Sequence, residues 1–187
     1  MIETQPIDRK AFYASIRPMF GGKLNQMQVN RISRVLDGLE ERRLSAEKCA
    51  YVLATTHWET DKWKALEEYA SGKAYEGRKD LGNFAAGDGP RFKGRGLVMI
   101  TGRTNYADWS RRLGVNFLSQ PELVSQLQYA VPILIDGMVK GTFTGKKLSD
   151  YFNARMNGWV LARRIVNRLD RAHEIAEIAK NYHGALT

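Results

Sequence analysis

Glu59 stands next to Trp58 and four residues before Trp63, at the end of an apolar stretch. Aromatic surface penalises the charged form of a carboxyl and so keeps a proton on it near neutral pH. A second carboxylate must stay ionised to activate water, and Glu67 and Glu68 follow within nine residues. Paired carboxyls of this kind are what glycoside hydrolysis uses. In one continuous helix, nine residue steps would put Glu59 and Glu68 on opposite faces, about 13 Å apart along the axis. Such a pair could not cooperate. The chain is therefore expected to leave the helix near Thr60-Asp61-Lys62 and fold back, bringing the carboxyls to the roughly 6.5–9.5 Å that an inverting reaction requires. Spacing alone leaves the choice between Glu67 and Glu68 open.

Further candidates lie downstream. Thr101 follows a glycine-rich run from Gly87 to Gly96, and its hydroxyl could hold a water by donating and accepting at once. Asn105 and Tyr106 offer an amide and an aromatic edge, suited to N-acetyl groups and sugar faces. The glycine-rich run lacks the Gly-Lys-Ser/Thr of a phosphate loop and the spacing of a dinucleotide fingerprint, which excludes nucleotide binding. Arg91, Lys93, Arg95 and Arg103 cluster around Phe92, a pattern that serves either nucleic acid or an anionic glycan. The three histidines, His57, His173 and His183, form no metal motif, and no cofactor is expected. Cys49, the only cysteine, reads as a buried inert thiol.

These side chains need a scaffold. The 187 residues suit one domain, 1–187, large enough to bury a real core. The hydrophobic content of 43% and the charged content of 26% are those of an ordinary globular protein. No apolar run approaches a membrane span, and Met1 to Lys10 has no signal-peptide core. Twenty-nine Lys and Arg against twenty Asp and Glu give +9, a surface that favours anionic partners. Ile32, Val35, Leu36 and Leu39 predict a helix over 26–43. Ser45 is expected to cap a second helix, from Ala46 to about Glu59, apolar nearly all round and therefore central and buried. Residues 70–96 read as a long irregular loop with a possible hairpin. Further helices are expected from Asn105 to Leu113, stopped by Gly114, and from Pro121 to about Gly141. Leu148–Phe152 reads as short and helical. A last helix is expected to be capped by Asp170 and stopped by Gly184. The fold class is mainly α, with one long Gly-rich irregular segment.

Several runs together carry a resemblance. They are Glu59-Thr60, Glu67-Glu68-Tyr69, Tyr75-Glu76-Gly77-Arg78-Lys79-Asp80-Leu81-Gly82-Asn83, Gly87-Asp88-Gly89, Arg91-Phe92-Lys93-Gly94-Arg95-Gly96, Ile100-Thr101-Gly102-Arg103, Asn105-Tyr106, Phe143-Thr144-Gly145 and Arg163-Arg164-Ile165-Val166-Asn167. About three quarters of the chain resembles the family 19 glycoside hydrolases (chitinase-like), specifically their phage endolysin and bacterial lysin branch. The resemblance implies a lysozyme-like fold with two lobes flanking a cleft. It implies Glu59 as general acid, Glu68 as the base that activates water, and Thr101 as the hydroxyl that positions that water. It implies substrate contacts from Asn105, Tyr106, Arg164 and Asn167. Trp58, Tyr69, Arg95 and Met99, in or beside the same runs, complete the expected substrate-binding set.

Two positions depart from the family pattern. Trp58 stands where His is usual, with His57 one step earlier, and Met99 stands where Gln is usual. Glu76 reads as structural, paired with Arg78 or another loop cation. The implied activity is lysozyme-like hydrolysis of bacterial peptidoglycan by a monomer without a membrane anchor or a separate wall-binding module. No nucleic-acid partner is expected. The enzyme would wait in the host cytoplasm until a holin gives it access to the periplasm and wall. A chitinase of the same family, or a non-catalytic wall- or nucleic-acid-binding domain, are the alternatives.

Overall fold

The computed structural model describes residues 6–187, and the reading of the N-terminus as lacking a signal core falls partly on residues 1–5, outside them. The chain is mainly helical. Its helices are α1 (Arg9–Ile16), α2 (Gln26–Glu41), α3 (Ala46–Glu59), α4 (Asp88–Arg91), α5 (Arg103–Leu113), α6 (Leu127–Lys140), α7 (Leu148–Tyr151) and α8 (Ala172–Leu186). A two-stranded antiparallel hairpin, β1 (Phe152–Asn153) with β2 (Met156–Asn157), follows α7. No helix among the described residues is long and apolar enough to cross a membrane.

α3 is the central buried helix, as its all-round apolar sequence predicts. Every residue from Cys49 to His57 is buried, and α8 packs along it. Each fully buried Val or Leu of such a helix contributes about 1.5–3 kcal/mol of transfer free energy. α2 begins where Asn25 and Gln28 form a reciprocal capping box. Ser45 does precede α3, but its side chain makes no capping hydrogen bond.

The backbone turns sharply right after Glu59. Asp61, Lys62 and Trp63 have φ of 47°, 56° and 67°, three successive non-glycine residues in the left-handed region. Each costs about 1–2 kcal/mol by itself, so the surroundings must impose the turn. Thr60 Oγ1 donates to the Thr56 carbonyl and accepts from Trp63 N. Gln28 Nε2 and Arg31 from α2 donate to the carbonyls of Lys62 and Trp63 at 2.8 and 2.7 Å. The Trp63 ring is fully buried and its Nε1 donates to the Tyr182 hydroxyl at 3.0 Å. That hydroxyl, having accepted from the indole, donates to His57 Nδ1 at 2.9 Å. The fold-back expected at Thr60-Asp61-Lys62 is thus present, and α8 anchors it.

Elsewhere the local signals do not decide the structure. The 70–96 segment is not bare loop or hairpin. It holds three short helical turns, at Lys73–Tyr75, Lys79–Leu81 and α4. The helix expected from Pro121 is broken at Gln126, whose ψ of 131° separates a 3-10 turn from α6. Asp170 does not cap α8. Arg171 precedes it with φ 55°, and the helix runs through exposed Gly184 to Ala185 and Leu186, which still pack in part on the core.

Lys62 is exposed and makes no side-chain contact that the turn needs. Lys62→Gly is therefore expected to hold or raise the thermal midpoint by about 2–4 °C, the equivalent of roughly 1 kcal/mol, whereas Lys62→Ala stays at the parental value. Calorimetry of the three proteins checks this. Burial, helped by the Lys62 charge and opposed by Asp61, pushes the His57 pKa down from 6.5 to about 4. A base whose folded pKa is depressed binds more protons when unfolded. Its stabilising neutral form is fully present above about pH 6.5 and is lost as pH falls toward 4. Thermal midpoints measured from pH 7.5 to 4.5 are expected to fall, and His57→Gln, which keeps an acceptor for Tyr182, is expected to flatten that fall.

Candidate active site

The second carboxylate is set by a small antiparallel patch. Glu68 N donates to the Gly94 carbonyl, Gly96 N donates to that of Leu66, and Arg95 and Ile100 exchange backbone bonds. Successive residues of an extended chain face opposite sides, and the two neighbouring glutamates separate accordingly. Glu67 faces the cations: its carboxylate meets Lys93 Nζ at 2.8 Å and Arg95 at 3.4 Å. Partial burial opposes ionisation of Glu67, but the hydrogen bond and charge of Lys93 and the charge of Arg95 prevail and hold its pKa below the ordinary value.

Glu68 faces the other side. Its Oε2 accepts from the Tyr75 hydroxyl at 3.0 Å, while its Oε1 is buried without any protein partner. Gly94 is what lets this carboxylate approach. A β-carbon built on Gly94 would lie 2.7 Å from Glu68 Oε2 and 3.3 Å from Thr101 Oγ1. The carboxylate and the hydroxyl therefore border one small space that any other residue would fill. Thr101 donates its hydrogen to the Met99 carbonyl at 3.0 Å. Its oxygen is left as an acceptor only, so the expected donating-and-accepting role is reduced to accepting.

Glu59, the last residue of α3, has a different neighbour from the one the sequence suggested. Trp63 is turned into the core, and Trp58 is 37% exposed. The partner of Glu59 is Arg163, buried at 3% exposure, whose NH1 donates to Oε1 at 2.7 Å. This guanidinium fixes the orientation of the carboxyl. Among the described residues Oε2 has no hydrogen-bond partner. The sequence singles out Arg164, and the structure adds Arg163 as the residue that meets Glu59. Arg164 is exposed, its carbonyl accepts from the Thr144 hydroxyl, and Asn167 lies beyond it on the same surface loop.

The remaining expected residues divide by exposure. Tyr69 is 79% exposed and its hydroxyl reaches Asp61. Asn105 is exposed and its amide donates to the Thr101 carbonyl. Met99 is half-buried in a left-handed backbone conformation and supplies its carbonyl to Thr101. Tyr106 is fully buried; its hydroxyl accepts from Arg95 and donates to the Lys93 carbonyl. Burial pushes the Tyr106 pKa up to about 12. Arg95 is itself buried between Tyr106, the Arg91 carbonyl and Glu67. His57, beside the departure at Trp58, is buried against Tyr182.

The matched runs also stitch the glycine-rich segment together. The Glu76 carboxylate accepts from the backbone N–H groups of Gly87 and Gly89 at 2.7 and 2.8 Å, so its partners are backbone amides; Arg78 pairs with Asp80 instead. Asn83, fully buried, caps α5 by accepting from Arg103 N and donates to the Tyr75 carbonyl. Asp88 is buried and doubly bonded by Arg103, which holds its pKa low against the opposing effect of burial. The basic cluster around Phe92 is thereby engaged internally. Arg91 donates to the Leu118 carbonyl, Lys93 and Arg95 to Glu67, and Arg103 to Asp88. Among the described residues no group of three or more His, Cys, Asp or Glu side chains is placed to hold a metal ion.

No protein-family model matches the chain. Over 53 residues, 28% of its length, the chain is 38% identical to a glycosyl hydrolase family 19 domain-containing protein of Haemophilus influenzae. The match covers 26% of that protein, so the chain spans about a quarter of the length of the curated relative it matches. The fold is that of chitinase C: a crystal structure of a Glu-to-Gln variant of that protein aligns over 96% of this chain and 95% of its own, with a TM-score of 0.55 and 15% identity. Chitinase C from Streptomyces griseus HUT6037 aligns over 89% of this chain and 91% of its own, with a TM-score of 0.49 and 17% identity. At the level of the family, the resemblance read from the motifs is met over 53 residues by one relative and by a shared chitinase-like fold.

The Gly94 backbone lies outside the left-handed region, so Gly94→Ala is expected to fold. Its methyl displaces the Glu68 carboxylate, and a reaction that uses that carboxylate is expected to slow by roughly a hundredfold. Turnover measured beside the thermal midpoint checks this, with the midpoint expected to change little.

Proposed function

We propose that the chain is a family 19 glycoside hydrolase acting on bacterial peptidoglycan, as an endolysin. The observation that carries the catalytic part is the contrast between the two adjacent glutamates. Glu67 is tied to Lys93 and Arg95, whereas Glu68 sets its Oε2 at the Gly94 space that the Thr101 hydroxyl also borders, and keeps a buried Oε1 without a protein partner.

Glu59 is the general acid, oriented by Arg163 with Oε2 turned to the scissile bond. A water in the space beside Gly94 gives one hydrogen to Glu68 and the other to Thr101 Oγ1, which can only accept. Its remaining lone pair is directed at the anomeric carbon. As the carbon–oxygen bond to the leaving sugar breaks, the Glu59 proton passes to the leaving oxygen. The new bond forms to water on the opposite face, and Glu68 takes the proton that water loses. The outcome is inversion at that carbon. Trp58, Tyr69, Met99, Asn105, Arg164 and Asn167 are the residues proposed to meet the sugars. Arg95 and Tyr106 hold the patch from within.

Several features support the wall over other polymers. The excess of 29 basic over 20 acidic residues suits a polyanionic wall. A nucleic-acid role is disfavoured, because the cations that suggested it are engaged by Glu67, Asp88 and backbone carbonyls. The protein would act as a monomer and a single catalytic domain, held in the host cytoplasm until a holin opens the way to the wall. Chitin is the second reading, favoured by the chitinase C fold.

Glu59→Gln is expected to lower the rate of wall clearing by about 10²–10⁴-fold with folding and wall binding nearly unchanged. Glu68→Gln is expected to do the same, and Glu67→Gln to retain most activity. A Glu59→Gln protein that clears purified walls as fast as the parent would exclude the assignment. Parallel assays on walls and colloidal chitin, with reducing-end analysis of the fragments, separate the two substrates.

A further inference from the structure

An open hollow of about 590 Å³ is lined by Thr144, Lys146, Arg164, Val166, Arg168 and Leu169, with Asn167 between them. Lys146, Arg164 and Arg168 are all exposed, and among the described residues none of them makes an ion pair. This contrasts with the cations of the glycine-rich run, which are internally engaged. No acidic side chain lines the hollow, and two apolar ones do, Leu169 being 44% exposed.

The hollow is joined to the acid through one residue. Arg163 gives NH1 to Glu59 and Nε to the Asp170 carbonyl at 3.1 Å. The loop that carries Arg164 to Leu169 therefore leaves from, and is tied back to, the guanidinium that holds Glu59. Thr144 pins the same loop from the turn after α6, its hydroxyl shared between the carbonyls of Arg164 and Ile165 at 2.6 and 3.0 Å.

We infer that this hollow binds the carboxylate-bearing peptide carried by a wall glycan, and so selects peptide-substituted strands. The inference rests on the hydrolase reading given above. The volume falls in the range of sites for extended ligands and exceeds what a lone inorganic anion needs. Three unpaired cations beside Val166 and Leu169 match a short peptide with small apolar side chains and several free carboxylates. A phosphodiester polymer offers charge without apolar groups, and chitin offers no charge. Ammonium and guanidinium groups make charge-assisted hydrogen bonds to carboxylates, and at exposed positions each changes affinity by roughly threefold, so that two together change it by about tenfold.

The test uses Lys146→Ala/Arg168→Ala in the full chain, since both side chains are exposed and support no internal contact. Turnover is measured on glycan strands with intact peptides and on the same strands stripped by an amidase. Parental kcat/KM is expected to favour the peptide-bearing strands, and the double variant to lose about tenfold on those strands while keeping parental activity on the stripped ones. Equal loss on both, or no loss on either, overturns the inference. Titration of a disaccharide-tetrapeptide into Glu59→Gln, with and without the two substitutions, reads the hollow independently of turnover. A roughly tenfold weaker Kd in the triple variant supports the inference even if neither strand is cleaved, which would instead remove the hydrolase reading. An unchanged Kd, or displacement of the tetrapeptide by equimolar poly(glycerol phosphate), overturns it.

Discussion

A buried phenol holds the architecture on which everything else depends. The Tyr182 hydroxyl accepts from Trp63 and donates to His57. It thereby fastens both sides of the reversal at the end of α3 to a helix distant in sequence. Without that fastening, three consecutive left-handed residues have no reason to persist. With it, the chain turns back immediately after Glu59, and the strand that carries Glu68 can run beside Gly94 and Thr101. The strain is thus local, and the contacts that impose it come from α2 and α8.

Charge is distributed with the same economy. Glu67 and Glu68 are adjacent in sequence and opposite in fate, because extended backbone alternates its faces. One joins Lys93 and Arg95; the other sets its Oε2 between Tyr75 and the Gly94 space beside Thr101. Arg163 and Arg164 repeat the pattern on the far side, the first turned inward to Glu59 and the second outward to the hollow. In both pairs, chemistry follows from which neighbour faces in.

Much of this was legible in the sequence, and the failures have physical causes. The end of α3 at Glu59 could be inferred because nine helical steps would have separated the carboxyls. α5 and its stop at Gly114 followed from a terminal glycine in the left-handed conformation. Arg163 was not legible, since it lies in a short 3-10 turn where no periodicity marks the inward residue. The apolar pocket imagined for Glu59 failed because Trp63, although near in sequence, is drawn away by Tyr182, over a hundred positions later. Asp170 and Gly184 misled because side-by-side packing of α8 on α3 outweighs local capping preferences. The helical turns within 70–96 are specified by long-range partners such as the Glu76 clamp on Gly87 and Gly89, which no local window contains.

The position of Tyr182 also bears on when the protein becomes competent during its own synthesis. His57 and Trp63 leave the ribosome more than a hundred residues ahead of the hydroxyl that joins them. Non-local contacts of this kind close late. The nascent chain can form α2 and α3 early, yet the bend beyond Glu59 stays unfixed until α8 emerges. Partial translation products would therefore lack the fixed turn that brings Glu68 back behind Glu59, and its formation is timed by the ribosome itself.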